Sequence, residues 1–154
     1  MIKIRPFEEH DASVLWDLFY HTIRFVNRRD YSQEQVEAWA PDNLDPQIWR
    51  NKMSSLSPYI AEIDNVIVGY ADLQPDGLVD HFFCHCRYQG QGVGRALMEH
   101  VLEVGRTRGI KSFYSEVSLT ARPFYQHMGF EVETQQLIHV RGHSLTNFVM
   151  RKSD

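Results

Sequence analysis

Arg87-Tyr88-Gln89-Gly90-Gln91-Gly92-Val93-Gly94-Arg95 is the stretch on which the fold turns. Before it, residues 78–86 form an apolar run with Phe82 and Phe83 at its centre, which predicts a strand. After it, residues 91–108 place Val93, Leu97, Val101 and Val104 on one helical stripe that stops at Gly109. Glycines at alternate positions remove Cβ atoms where a ligand could approach the backbone. A helix start adds unpaired N–H groups and the positive end of a dipole. Together these suit an anion such as a pyrophosphate, with Arg95 as a nearby cation. The loop lacks the Gly-Lys-Ser/Thr of a P-loop, and its G-x-G-x-G spacing is not that of a dinucleotide fingerprint. Taken alone it also fits a tight connection whose glycines merely permit packing.

Residues 111–117 follow as a strand, so the strand–helix–strand unit implies a locally parallel pair. Outward from it, residues 58–63 and 66–73 are β-rich runs around Asp64-Asn65, a hairpin signal, and Pro75-Asp76-Gly77 marks a turn. Residues 1–7 alternate as a short strand. A helix capped by Asp11 carries Leu15, Leu18, Phe19, Thr22, Ile23 and Val26. A second opens with a Ser32–Gln35 capping box and stops at Pro41; a third has Asp45 as N-cap and Pro46 in its first turn. Thr120 caps a short helix ending at Gly129. Residues 130–140 and 144–150 read as a closing antiparallel pair turned near Arg141-Gly142. The order β-α-α-α-β-β-β-α-β-α-β-β predicts one mixed α/β domain over 1–154, without repeat or linker.

A chain of 154 residues, 43% of them hydrophobic, can bury a core without disulfides. A net charge of −4 offers no broad basic face, so neither nucleic acid nor an anionic membrane is an expected partner. Cys84 and Cys86 are too close in sequence for an unstrained disulfide, and the opening residues carry no signal-peptide pattern, which points to the cytoplasm. His81, Cys84, His85 and Cys86 alternate across an extended strand and cannot converge on a zinc ion, so no metal is expected.

Two blocks give this chain a likeness to a known family. Gln89-x-x-Gly92-x-Gly94 resembles the Gln/Arg-x-x-Gly-x-Gly/Ala signature of the GNAT superfamily of acyl-CoA N-acyltransferases. Ser118-x-x-Ala121-x-x-Phe124-Tyr125, then Gly129-Phe130, resembles that family's second block, with Ser118 where the family usually has Asn. Residues 31–41, with Arg141-Gly142 and Asn147-Phe148, look like one bacterial subgroup acting on small molecules. The resemblance implies a mixed, largely antiparallel sheet whose fourth and fifth strands form a central parallel pair and splay to admit pantetheine. It implies acetyl-CoA as co-substrate and a small-molecule or peptide amine as acceptor. Backbone N–H groups of Gly90, Gln91, Gly92, Val93, Gly94 and Arg95, with Gln89, would hold the pyrophosphate. Backbone around Phe83 and Cys84 would pair with pantetheine, joined by the Ser118 hydroxyl.

Acetyl transfer to an amine needs a neutral nucleophile, hydrogen bonds to the developing oxyanion, and a proton for the leaving thiolate. The resemblance sets Tyr125 beside the CoA sulfur as the acid. For the base, strand alternation puts Asp80 on one face and His81 with His85 on the other. Asp80 is the first choice, His81 the second; a structural carboxylate and an ordinary buried imidazole are the plain alternatives. By family analogy Tyr20, His21, Arg24, Trp39 and His81 are candidates to wall the acceptor pocket. The last two strands offer an edge through which a homodimer could form. A non-catalytic acyl-CoA sensor or interaction module is the alternative function.

Overall fold

The computed structural model describes residues 1–153. Its strands are β1 (Ile2–Pro6), β2 (Tyr59–Ile63), β3 (Val66–Ala71), β4 (Phe82–Cys84), β5 (Ser112–Ser118), β6 (Glu131–Val140) and β7 (His143–Ser153). Its α-helices are α1 (Ala12–Phe25), α2 (Gln33–Trp39), α3 (Pro46–Leu56), α4 (Val93–Thr107) and α5 (Arg122–His127). The order is the one expected, and local chemistry explains much of it. Ser32 and Gln35 form a reciprocal capping box on α2, and the Asp45 carboxylate accepts from the Gln47 N–H at the start of α3. Asp64 and Asn65 both take positive φ in the β2–β3 hairpin, the backbone such a two-residue turn requires.

The strands form two antiparallel sheets, β1-β2-β3-β4 and β5-β7-β6. They touch in parallel only at a Leu78–Tyr114 bridge, where Val79 N–H donates to Tyr114 O at 2.9 Å and Tyr114 N–H to Gly77 O at 3.0 Å. Beyond that point β4 and β5 part company. The anticipated strand over residues 78–86 therefore contracts to three residues. A buried carboxylate accompanies the break: Asp72 Oδ1 accepts the N–H groups of Asp80 (2.9 Å) and His81 (2.7 Å), while Asp72 N–H donates to His81 O at 3.2 Å, so His81 keeps its place opposite Asp72 and the irregularity falls on residues 79–80.

Two apolar clusters sandwich the sheets. Val93, Leu97, Val101 and Met98 of α4 pack with Phe113, Tyr125 and Phe130 on one face; α1, α2 and α3 close the other around Leu15, Ile23, Trp49 and Tyr70. The α4 layer sits close because glycines let it. A Cβ on Gly69 of β3 would lie 2.9 Å from both Leu97 and Val93, and one on Gly105 of α4 would lie 2.2 Å from the buried Phe113 ring. Alanine is the better helix former by about 1 kcal/mol, so the effect of Gly105→Ala isolates the contact. Overpacking is expected to win, with a net loss of about 1–3 kcal/mol in chemical denaturation.

Candidate active site

The glycine loop ends in an open helix start. Gly90 (φ +73°) and Gly92 (φ +86°) adopt left-handed backbone; Gly92 is the N-cap of α4, which has no capping side chain. The first loop-to-helix bond is Ala96 N–H to Gly92 O, and among the described residues no backbone hydrogen bond is donated by residues 89–95. A Cβ on Gly90 or Gly92 would meet almost nothing, so both face free space. Gly94 differs: its Cβ would touch Phe124 at 3.1 Å, so this glycine brings α5 close. Arg95 donates to His127 Nε2 at 2.9 Å, which fixes that nitrogen as an acceptor. The Gln89 side chain donates to the Cys84 (3.0 Å) and His85 (3.3 Å) carbonyls, tying the loop to β4. A groove of about 380 Å³ runs along these residues, and of the loop positions expected there Gln91 alone does not line it.

The groove leads to the divergence of β4 from β5. Phe83 pairs with Tyr70 of β3, and His85 N–H donates to Val68 O, so odd-numbered residues spend their backbone groups on β3. Phe82 and Cys84 alternate away from it, toward the gap. The inner backbone left unpaired by β3 thus belongs to Phe82 and Cys84, while that of Phe83 is spent on β3, a division that depends on a register the sequence does not reveal. The Cys84 carbonyl already accepts from Thr22 Oγ1 (2.8 Å) and Gln89, which leaves its N–H.

A second cavity, about 400 Å³, lies beyond the gap and shares Phe82, Phe83, Ser118 and Ala121 with the groove. Both Asp80 and His81 line it. Their assignment to opposite faces is corrected here, since strand alternation does not hold across the bend made by Asp72. Asp80 Oδ2 pairs with Lys52 Nζ at 2.8 Å. Burial pushes His81 down to about 4, so its ring is neutral at pH 7. Tyr70 Oη and His81 Nδ1 are hydrogen-bonded at 3.0 Å, so that ring nitrogen is already occupied. Burial also raises Tyr125 well above the usual phenol range, keeping it protonated. Ser115 donates to Val79 O at 2.7 Å, so its oxygen accepts from Tyr125 at 3.3 Å, a weak bond that leaves the phenol able to turn elsewhere. The Cys84 thiol is pushed up to about 12 by burial, an inert form.

Ser118 Oγ accepts from Ala121 N–H at 3.0 Å in the turn before α5; the helix itself has no capping side chain, and Thr120, expected to cap it, donates its hydroxyl to Asp30. Asn27, half a turn beyond α1, stands 3.5 Å from Ser118 Oγ and lines the same groove, so an amide does sit beside the position where the family motif has Asn. Of the residues expected to wall an acceptor pocket, Trp39 and His81 line this cavity. Tyr20, His21 and Arg24 do not. Tyr20 donates to Asp42, Arg24 bonds Ala40 O (2.8 Å) and Asp42, and together they fasten the α2–α3 connection; exposed His21 contacts Asp17 O. The cavity's own walls are Trp16, Phe19, Tyr31, Trp49 and Arg141 among others. Nothing in their sequence spacing separated them from ordinary core positions.

An open helix start feeding a splayed pair of strands, beside a second cavity, suits a long anionic ligand in the groove and a second ligand beyond it. Residues 27–152 match the family model described as an acetyltransferase (GNAT) domain, and the chain belongs to that family of acetyltransferases. It is 28% identical to YafP, an uncharacterised N-acetyltransferase of Escherichia coli, over 150 residues, 97% of this chain and 95% of that one. A GCN5-related N-acetyltransferase structure from Rhodopseudomonas palustris superposes with a TM-score of 0.94 at 29% identity, covering 99% and 95% of the two chains. The PaiA N-acetyltransferase of Thermoplasma acidophilum, solved with coenzyme A, shares the fold at a TM-score of 0.79 and 19% identity, covering 100% and 99%. Among the described residues no cluster suits a metal ion, and no helix is long and apolar enough to cross a membrane.

Acetyl-CoA at a hundred times its Kd is expected to stabilise the protein by about 2.7 kcal/mol, a rise of several degrees in Tm. Gly92→Leu is expected to weaken binding by about tenfold or more in calorimetry, because the side chain enters the cradle from a backbone that disfavours it.

Proposed function

We infer that the protein transfers the acetyl group of acetyl-CoA to a primary amine by direct attack in a ternary complex. One observation carries this reading: the groove and the cavity share Phe82, Phe83, Ser118 and Ala121. A thioester in one and an amine in the other meet there without a protein nucleophile between them, and proximity supplies much of the rate.

The N–H groups of residues 90–95 hold the diphosphate. Phe82 and Cys84 backbone groups pair with pantetheine, and the Cys84 N–H polarises the thioester carbonyl. The Ser118 hydroxyl, its oxygen engaged by Ala121, donates its own hydrogen to a pantetheine carbonyl with Asn27 alongside. Tyr125, protonated throughout the physiological range, supplies the proton to the departing thiolate. Asp80 Oδ1, left over from the Lys52 pair, takes the proton released by the amine through water. The acceptor is a small molecule or peptide, and the setting is cytoplasmic.

Tyr125→Phe removes one weak bond to Ser115 and is expected to keep fold and acetyl-CoA affinity while lowering kcat by about 10²-fold, measured as amine-dependent CoA release. An unchanged kcat would remove Tyr125 as the acid. Cys84→Ala is expected to retain at least about a third of wild-type activity, since fewer than about one thiol in ten thousand is ionised at neutral pH when its pKa is about 12. Inactivity with an intact fold would instead favour a covalent route.

A further inference from the structure

We propose that the Asn147 carboxamide is the hydrogen-bonding anchor for the acceptor, and that the acceptor is a primary amine carried on an aromatic body. This deepens the reading above and rests on it. Several polar groups around the acceptor cavity already have a protein partner. Asp80 holds Lys52 at 2.8 Å, and Glu116 accepts from Gln136 at 2.6 Å. Tyr31 donates to Thr146 O at 2.6 Å and accepts the Leu119 N–H at 2.9 Å, while Trp49 Nε1 donates to Ala12 O at 2.8 Å. Asn147 differs in that its unpaired oxygen is closed off from solvent. It is only 6% exposed, it lines the cavity, and its Oδ1 is buried without any partner. Buried amides are ordinarily satisfied. A half-turn of the amide exchanges its two ends, so the carbonyl can be offered to a donor that enters the cavity.

The position fits an amine. Asn147 of β7 lies opposite Ser118 of β5 in the sheet register, and Ser118 belongs to both the groove and the cavity. A donor held by Asn147 is therefore held beside the junction where the two substrates meet. A carboxamide oxygen accepts from a neutral amine without stabilising its ammonium form as a carboxylate would. The nucleophile needs its lone pair, so this choice of anchor suits the chemistry.

The rest of the cavity describes the body behind the amine. Trp16, Phe19, Trp39, Trp49 and Phe83 supply its walls, with Trp16 and Trp49 packed edge to face at 5.0 Å and Phe19 and Phe83 at 4.9 Å. Such surfaces favour a flat apolar guest over a charged chain. A polyamine would bring a second ammonium, and each of the cavity's carboxylates, Asp80 through Oδ2 and Glu116 through Oε1, already has one oxygen engaged.

Three probes test this: 2-phenylethylamine, tryptamine and spermidine, with wild type and Asn147→Leu, scored by CoA release, calorimetric Kd for acetyl-CoA, and Tm. Wild type is expected to prefer an aryl amine to spermidine by about tenfold or more in kcat/KM. Asn147→Leu is expected to raise KM for that amine by about tenfold while leaving acetyl-CoA affinity unchanged and Tm equal or higher, because an unpartnered buried amide contributes nothing to folding. Preference for spermidine, or no turnover of either aryl amine by a protein that binds acetyl-CoA, overturns the substrate class. An unchanged KM in Asn147→Leu overturns the anchor. So does a Tm fall of more than about 5 °C in both Asn147→Leu and Asn147→Ala, which would make the amide a structural group. Failure to bind acetyl-CoA at all would strike the underlying reading instead.

Discussion

The carboxylate of Asp72 accepts from the backbone N–H groups of Asp80 and His81, and the opening of the sheet depends on those two bonds. Asp72 is fully buried, and burial raises it to about 6 against the pull of the His81 and Gln74 hydrogen bonds. Between about pH 4 and 6 the folded protein therefore holds this proton more tightly than the unfolded chain does. Stability from this group falls as pH rises through that window, and above it the cost of a buried charge stands in full. What that cost maintains is a bend. With it the ladder stops at Leu78, and the inner backbone of β4 faces a gap rather than a neighbour.

Everything functional is arranged around that gap. The α4 layer approaches β3 and β5 through Gly69 and Gly105, which sets the glycine loop at one end of the groove. The helices on the other face turn their rings toward the far cavity. The interior then tunes its own groups by excluding water. Tyr125 stays protonated, His81 stays neutral, and the Cys84 thiol stays unionised. A site so dry strengthens the few hydrogen bonds aimed at a reacting group.

Much of this was legible in the sequence. The loop before α4 announced itself because glycine spacing and a helix start have a direct meaning in backbone geometry. Ser32 with Gln35, Asp45 with Pro46, and Asp64-Asn65 worked for the same local reason. The misreadings share a different cause, which is long-range satisfaction of backbone groups. Asp80 and His81 were divided by strand alternation, but a carboxylate eight residues away in sequence had taken their N–H groups. That Phe83 faces β3 while Phe82 and Cys84 face away follows from the register with Tyr70, which local pattern does not reveal. Tyr20 and Arg24 looked like pocket residues until Asp42 and Ala40 were seen to occupy them. Asn147 stood in the sequence only as part of a subgroup likeness, since an Asn within a strand becomes unusual only when its partners are counted.

Hydrogen–deuterium exchange with and without acetyl-CoA tests the open seam most directly. Without ligand the Asp80 and His81 amides should exchange slowly, while those of Phe82, Cys84 and residues 89–95 exchange fast. Acetyl-CoA should then slow that second set and leave the first unchanged. Amides at Phe82 and Cys84 already protected without ligand would mean that the seam is closed, and a loop over 89–95 indifferent to acetyl-CoA would mean that the diphosphate lies elsewhere.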